Sequence, residues 1–237
     1  MPMVQVGDLD LYYEVHGAGP PLLLIGGLGA DLTLLAPLTE RLARSHQVIV
    51  FDNRGAGRSG KPDLPYSIPL LAADTVGLLD ALGIGRAHLL GMSMGGRIAL
   101  EIALDHPGRV DRLVLVATSA AGRGRLTLSW PMRVMRAARR LGLVRRAHPQ
   151  PDFAFRRQLA ASVSYSAVDR LGGVRAPTLI LHGRQDRSMP PSAAEATRAG
   201  IPGARLELFD GGHLFFLLAQ REAVLARVEE FLAQPRR

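Results

Sequence analysis

Short apolar runs, too brief to be helices, recur along the chain with helix-length stretches between them. This alternation limits what the 237 residues can fold into more than any other feature. Segments 22–25, 48–51, 88–90, 113–117, 178–181 and 205–209 read as strands buried on both faces, as in a parallel sheet. Stretches 33–43, 68–82, 94–105, 192–199 and 220–233 read as helices. In the third of these, Ile98 and Ile102, with Ala99 and Ala103 on the adjoining row, mark one buried face. At the start, 4–6 and 9–15 alternate as strands do, and Gly7-Asp8 between them predicts an antiparallel hairpin. The order predicts an α/β fold: a mostly parallel sheet with helices on both faces.

One interval breaks the rhythm. Between Thr118 and Pro177 lies far more chain than the roughly dozen residues a crossover needs. Within it, 130–144 reads as an amphipathic helix, with Val134, Met135, Ala138 and Leu141 on one side and Arg133, Arg136, Arg139 and Arg140 on the other. The chain thus divides into a core domain, 1–120 with 170–237, and a short helical lid, 121–169. A lid over the mouth of a site is favoured over a helix lying on a membrane.

Basic residues number 29 and acidic residues 21, for a net charge of +8, and Lys61 is the single lysine. Ten arginines fall between Arg123 and Arg157 with only Asp152 against them. Such a face could attract anions or nucleic acid, but no aromatic side chains alternate with the arginines as a stacking platform requires. A solvated surface is the expectation, with no nucleic-acid partner. Cysteine is absent, which rules out disulfides, thiolate metal sites and a thiol nucleophile, and fits a reducing compartment. The first residues lack a basic start followed by an apolar stretch, and the uncharged run 17–30 is too short to span a bilayer. A soluble, cytoplasmic protein with no membrane span is expected; no oligomeric state follows from these features.

Two nucleotide-binding patterns occur and fail. Gly55-Ala-Gly57-Arg-Ser-Gly60 fits G-x-G-x-x-G, and with Lys61 it fits most of a phosphate-binding loop. Pro62 stands where that loop needs a hydroxyl for magnesium, and Pro62 and Pro65 interrupt the helix that must begin there. The glycines are read instead as a tight loop leaving a strand.

The chemistry concentrates elsewhere. Strand 88–90 runs through Gly91-Met92-Ser93-Met94-Gly95-Gly96 straight into a helix, which is G-x-S-x-G in its strand–turn–helix setting. So sharp a turn strains Ser93 and leaves room only for glycine two positions to either side. A serine hydroxyl is a weak nucleophile and needs a base that is itself oriented by a third group. Of seven histidines, His213 follows strand 205–209 through the flexible Asp210-Gly211-Gly212; His182 at a strand end reads as a core residue. The acid is sought past strand 178–181, where His182-Gly183-Arg184-Gln185-Asp186 ends in a carboxylate. One helix and one strand separate it from His213, so a single crossover sets the two loops side by side. Asp210 is nearer in sequence but reads as a turn residue. For the oxyanion, the backbone N–H of Met94 and one from Gly26-Gly27-Leu28-Gly29, that of Leu28, are the candidate donors. Catalytic Ser93, His213 and Asp186 with these donors need no metal and no organic cofactor.

These landmarks, with Phe51-Asp52-Asn53-Arg54-Gly55-Ala56-Gly57-Arg58-Ser59 and 177–186, resemble the α/β-hydrolase fold from about residue 4 to 232, in the same Ser, Asp, His chain order. The chain is similar to single-domain esterases and 3-oxoadipate enol-lactonases, though many such proteins carry His-Gly where this one has Gly26-Gly27. The resemblance implies a serine hydrolase of small or apolar carboxylic esters. A lactonase, thioesterase or carbon–carbon bond hydrolase on the same triad is the alternative.

Overall fold

The structure, a computed structural model, describes residues 2–122 and 148–235. Its eight strands form one sheet: β1 (Met3–Val6), β2 (Leu9–His16), β3 (Pro21–Ile25), β4 (Gln47–Phe51), β5 (Ala87–Met92), β6 (Val110–Val116), β7 (Thr178–Gly183) and β8 (Arg205–Phe209), in spatial order β1-β2-β4-β3-β5-β6-β7-β8. The opening hairpin is antiparallel, β2 pairs antiparallel with β4, and every later pairing is parallel. The α/β class and the hairpin are as expected.

Period two sends alternate side chains to two separate cores. From β3, Leu23 and Ile25 enter one core, Leu22 and Leu24 the other; Ile49 and Phe51 part from Val48 and Val50 in the same way, as do Leu113 and Leu115 from Val114 and Val116. The first core takes helices α2 (Ile68–Ala81), α3 (Met94–Asp105) and α5 (Pro191–Gly200), through residues such as Leu71, Ile98 and Ala194. The second takes α1 (Ala36–Leu42) and α6 (Arg221–Leu232), through Leu38, Leu42, Val228 and Phe231. Fully apolar strands are thus those covered on both faces. Strand β8, expected to be fully buried, is the sheet's edge and only half-buried.

Two helices depart from expectation. The stretch read as one helix over 33–43 opens with a 3₁₀ turn, Leu32–Leu35, and becomes α-helical at Ala36, with Pro37 in the first turn where its missing N–H costs nothing. Helix α4 (Asp152–Ser164) falls in the segment expected to be helical, 121–169, but is not predicted by its own residues. Its buried face is Ala154, Gln158, Ala161 and Ser162, at helical spacing but small and polar, so it carries no apolar stripe. The amphipathic segment 130–144 lies outside the described residues.

The chain runs from β3 outward to β4, then returns past β3 to β5 and continues the other way. Strand order therefore reverses between β3 and β5, and a crevice opens outside the carboxyl ends of strands at such a switch point. The loops after these two strands are those that hold Gly26–Gly29 and Ser93.

Candidate active site

Ser93 joins β5 to α3 with φ 54° and ψ −118°, a conformation that side-chain-bearing residues seldom hold. The surroundings impose it. The Ser93 N–H donates to the Val116 carbonyl (2.9 Å), and the Ser93 carbonyl accepts from the Thr118 hydroxyl (2.7 Å) and the Gly96 N–H (3.0 Å). The flanking glycines are sterically required: a Cβ on Gly91 would lie 2.4 Å from the Gly95 carbonyl oxygen, and one on Gly95 2.1 Å from that of Ile25. The turn itself is therefore what needs Gly91 and Gly95.

The loops after β7 and β8 lie against each other. A Cβ on Gly183 would stand 2.5 Å from the Gly211 oxygen, and the Gln185 N–H donates to that same oxygen at 3.0 Å, while the Gln185 side chain accepts from the Gly211 N–H. This packing brings His213 over Asp186. Its Nδ1 lies 2.7 Å from Asp186 Oδ2 and its Nε2 3.0 Å from Ser93 Oγ. Asp186 Oδ1 accepts from the Ser188 and Met189 N–H groups at 2.8 and 2.9 Å. Burial pushes the Asp186 carboxyl upward, but the hydrogen bond and charge of His213, with the Met189 N–H and His182, outweigh it and hold the group below the ordinary carboxylate range. Asp186 is thus an anion buried beneath an imidazole. Asp210 is exposed and faces Arg184 at 3.7 Å, as a turn residue does.

His182 is wholly buried, 3.6 Å from Asp186 Oδ2, with its Nε2 2.8 Å from the Met189 carbonyl. A carbonyl only accepts, so the proton is on Nε2; burial depresses the ring's pKa and keeps it neutral. It braces the loop that carries Asp186.

On the other side of Ser93 stands the glycine-rich loop. Gly27 lies so near that a Cβ there would be 3.2 Å from the Cβ of Ser93. The Ala30 N–H donates to the Gly27 carbonyl (3.1 Å) and Gly29 has φ +66°, the positive third-residue value of a type II turn. Asn53 Nδ2 holds the Gly26 carbonyl at 3.1 Å, and Gln158 Oε1 accepts from the Gly29 N–H at 3.0 Å. The Leu28 N–H has no acceptor among the described residues, and Met94 occupies the first position of α3, where backbone N–H groups lack intrahelical partners. Thr118 and Gln158 had no sequence signal, and Asn53, although within the Phe51–Ser59 landmark, gave no sign of its hold on Gly26, because each acts on backbone atoms of another segment.

The loop after β4 is a turn of backbone and carboxylate. Asp52 accepts from the Leu32 N–H (2.7 Å) and the Arg58 N–H (2.8 Å), Gly55 and Gly57 take positive φ, and Lys61 Nζ donates to the carbonyls of Gly57 and Ser59. Among the described residues no group of three or more His, Asp or Glu side chains is placed to hold a metal ion, and no helix is long and apolar enough to cross a membrane.

A serine hydroxyl, an imidazole and a buried carboxylate in hydrogen-bonded series, at the carboxyl end of a mostly parallel sheet, define a class. The α/β hydrolase fold family matches residues 20–143 and 146–220, and the chain belongs to that family. Among its relatives, a protein of Azorhizobium caulinodans with the name "Putative carbamate hydrolase RutD" is 34% identical over 91% of this chain and 92% of its own length. The poly(3-hydroxyalkanoate) depolymerase of Ectopseudomonas oleovorans is 34% identical over 91% of this chain and 85% of its own. Among solved structures, the enol-lactonase from Burkholderia xenovorans LB400 aligns with a TM-score of 0.88 at 25% identity, covering 98% of this chain and 100% of that one.

Proposed function

We propose that the chain is a serine hydrolase that cleaves carboxylic esters of small or apolar substrates through an acyl-enzyme on Ser93. One observation carries the reading: the Ser93 Oγ, His213 and Asp186 series lies beside a loop that leaves the Leu28 N–H without an acceptor among the described residues. His213 Nε2 takes the proton of Ser93 as Oγ attacks the ester carbonyl, and Asp186 supports the imidazolium that forms. The N–H groups of Leu28 and Met94 receive the negative charge on the carbonyl oxygen, each worth about 3 kcal/mol in the transition state. Collapse expels the alcohol, which takes its proton from His213. Water, deprotonated by His213, then attacks the acyl carbon, and the acid leaves with Ser93 reprotonated. No step calls for a metal or an organic cofactor. The reading takes segment 121–169 as the lid; of its described residues, Gln150 and Phe155 stand against Gly29.

Ring-opening of a lactone is the second reading, favoured by the likeness to an enol-lactonase over nearly all of both chains. The same steps apply, with the leaving alcohol still tethered. The test is a panel of short and long esters, lactones, thioesters and an aryl carbamate, with fluorophosphonate labelling alongside. Wild-type protein labels on Ser93 and turns over at least one ester or lactone. Ser93→Ala does not label and loses roughly a million-fold in kcat. Turnover that survives in pure Ser93→Ala removes Ser93 from the mechanism.

A further inference from the structure

Of the two donors proposed for the oxyanion, the one at Met94 is fixed by the start of a helix. The other, at Leu28, is carried by a loop with glycine at three of its four positions, Gly26-Gly27-Leu28-Gly29. Glycine-rich backbone is free to rearrange, and the central peptide of a turn flips readily when its third residue is glycine. An oxyanion donor does not tolerate such freedom, because its benefit depends on being set at 2.7–3.1 Å before charge develops.

The central peptide of the turn Gly27–Ala30 joins Leu28 to Gly29, and its N–H is the one bound by Gln158 Oε1 at 3.0 Å. Gln158 comes from α4, far along the chain, and is fully buried. Its Nε2 donates to the Arg54 carbonyl at 2.8 Å, and its Oε1 accepts a second bond from Gln150 Nε2 at 3.0 Å. A backbone N–H only donates and a carbonyl only accepts, so this amide orientation alone satisfies both neighbours. One side chain thus bridges the loop after β3 and the loop after β4. Gln150 adds a bond to the Gly55 carbonyl at 2.9 Å, and Phe155 closes over Gly29. Burying a primary amide on a face otherwise made of Ala154, Ala161 and Ser162 carries a desolvation cost that a neutral packing role does not explain.

We infer that Gln158 is a positioning residue of the oxyanion pocket: by holding the Gly29 N–H it locks the Leu28–Gly29 peptide and so keeps the turn closed on the Gly27 carbonyl–Ala30 N–H bond. The Gly27–Leu28 peptide that carries this carbonyl then keeps the Leu28 N–H aimed at a substrate carbonyl on Ser93. The inference rests on the proposed serine mechanism. It gives α4 a task beyond packing, since that helix supplies part of the support for the glycine-rich loop.

The test uses the full chain. Gln158→Met keeps the volume and removes every hydrogen bond. Its kcat on the best substrate of the panel is expected to fall about ten- to a hundred-fold with KM within about threefold. Affinity for a trifluoromethyl ketone, which forms a tetrahedral oxyanion on the serine, falls by a matching factor. Affinity for the product carboxylate does not. Gln158→Glu keeps the acceptor for Gly29 and is expected to retain more of kcat than Gln158→Met, even at lower thermal stability. A folded Gln158→Met with wild-type kcat, or with its whole loss in KM, overturns the inference. So does failure of both variants to fold, which makes Gln158 a support of the fold and not of the pocket. Ser93→Ala run in the same assay separates the two claims. If it retains turnover, the serine mechanism falls; if it is silent while Gln158→Met runs at full kcat, only the role of Gln158 falls.

Discussion

Ser93 shows what a single position costs. Its φ of 54° and ψ of −118° place a side-chain-bearing residue where glycine is at ease, at an expense of about 1–3 kcal/mol. In a helix or strand interior alanine outranks glycine by about 0.5–1 kcal/mol. Here the order reverses: Ser93→Gly is expected to be more stable to urea than Ser93→Ala by about 1–2 kcal/mol, both being inactive. Equal midpoints, or a more stable alanine variant, would show that the backbone is not strained. At this scale the sequence was most legible where spacing reports sterics. Gly91 and Gly95 flank Ser93 because no Cβ fits, and a two-glycine loop puts His213 within reach of it. Gln158 and Thr118 were illegible for the converse reason. Each binds main-chain atoms, which every residue possesses, so no partner type appears in the sequence to be matched.

Elements follow the same division. Strands covered on both faces, and helices with an apolar stripe, are read directly from periodicity; α4 is not, because it docks by polar atoms. Its mooring is Arg97 of α3, almost fully buried, whose guanidinium donates to the Ser162 carbonyl (2.7 Å) and hydroxyl (2.6 Å), to the Ser119 carbonyl and hydroxyl (both 3.2 Å) and to the Ala121 carbonyl (3.0 Å). None of these acceptors is a carboxylate, and burial pushes the arginine's pKa down to about 10. Three segments, α3, the chain after β6 and α4, thus meet on one cation. Arg97→Met leaves those carbonyls buried and unpaired, and is expected to cost about 2–3 kcal/mol of stability. Amide exchange should speed up first in Asp152–Ser164, and unchanged protection there would show that α4 is held by something else.

For the whole molecule, two buried histidines link stability to pH. Burial lowers the pKa of both His46 and His182, against weaker opposing bonds from the Leu42 and Met189 backbone. The folded state then binds protons less readily than the unfolded chain. Stability is fully present above pH ~6.5 and falls as the pH drops toward the folded-state values, by at most about 1.4 kcal/mol per pH unit for each histidine. Asp186, shifted below its usual range, adds a loss only near and below pH ~4. Urea unfolding at pH 7.5, 6.5 and 5.5 measures the slope, and a flat profile contradicts the assignment of neutral rings. Strand order was the least legible property at this scale. Periodicity says that a strand is covered, not which neighbour it has, and so the edge position of β8 emerged only from the topology.

The two bonds that clamp the Ser93 main chain, from its N–H to Val116 and to its carbonyl from Thr118, tie it to the neighbouring strand and its continuation. The hydroxyl is left one torsion, χ1, with which, on the proposed mechanism, it would turn from the imidazole toward an incoming carbonyl. A molecule that arrives askew meets no accommodating hinge at that point. On the proposed mechanism, selection among acyl groups then falls to the shape of the walls, because the attacking oxygen would sweep a single fixed arc.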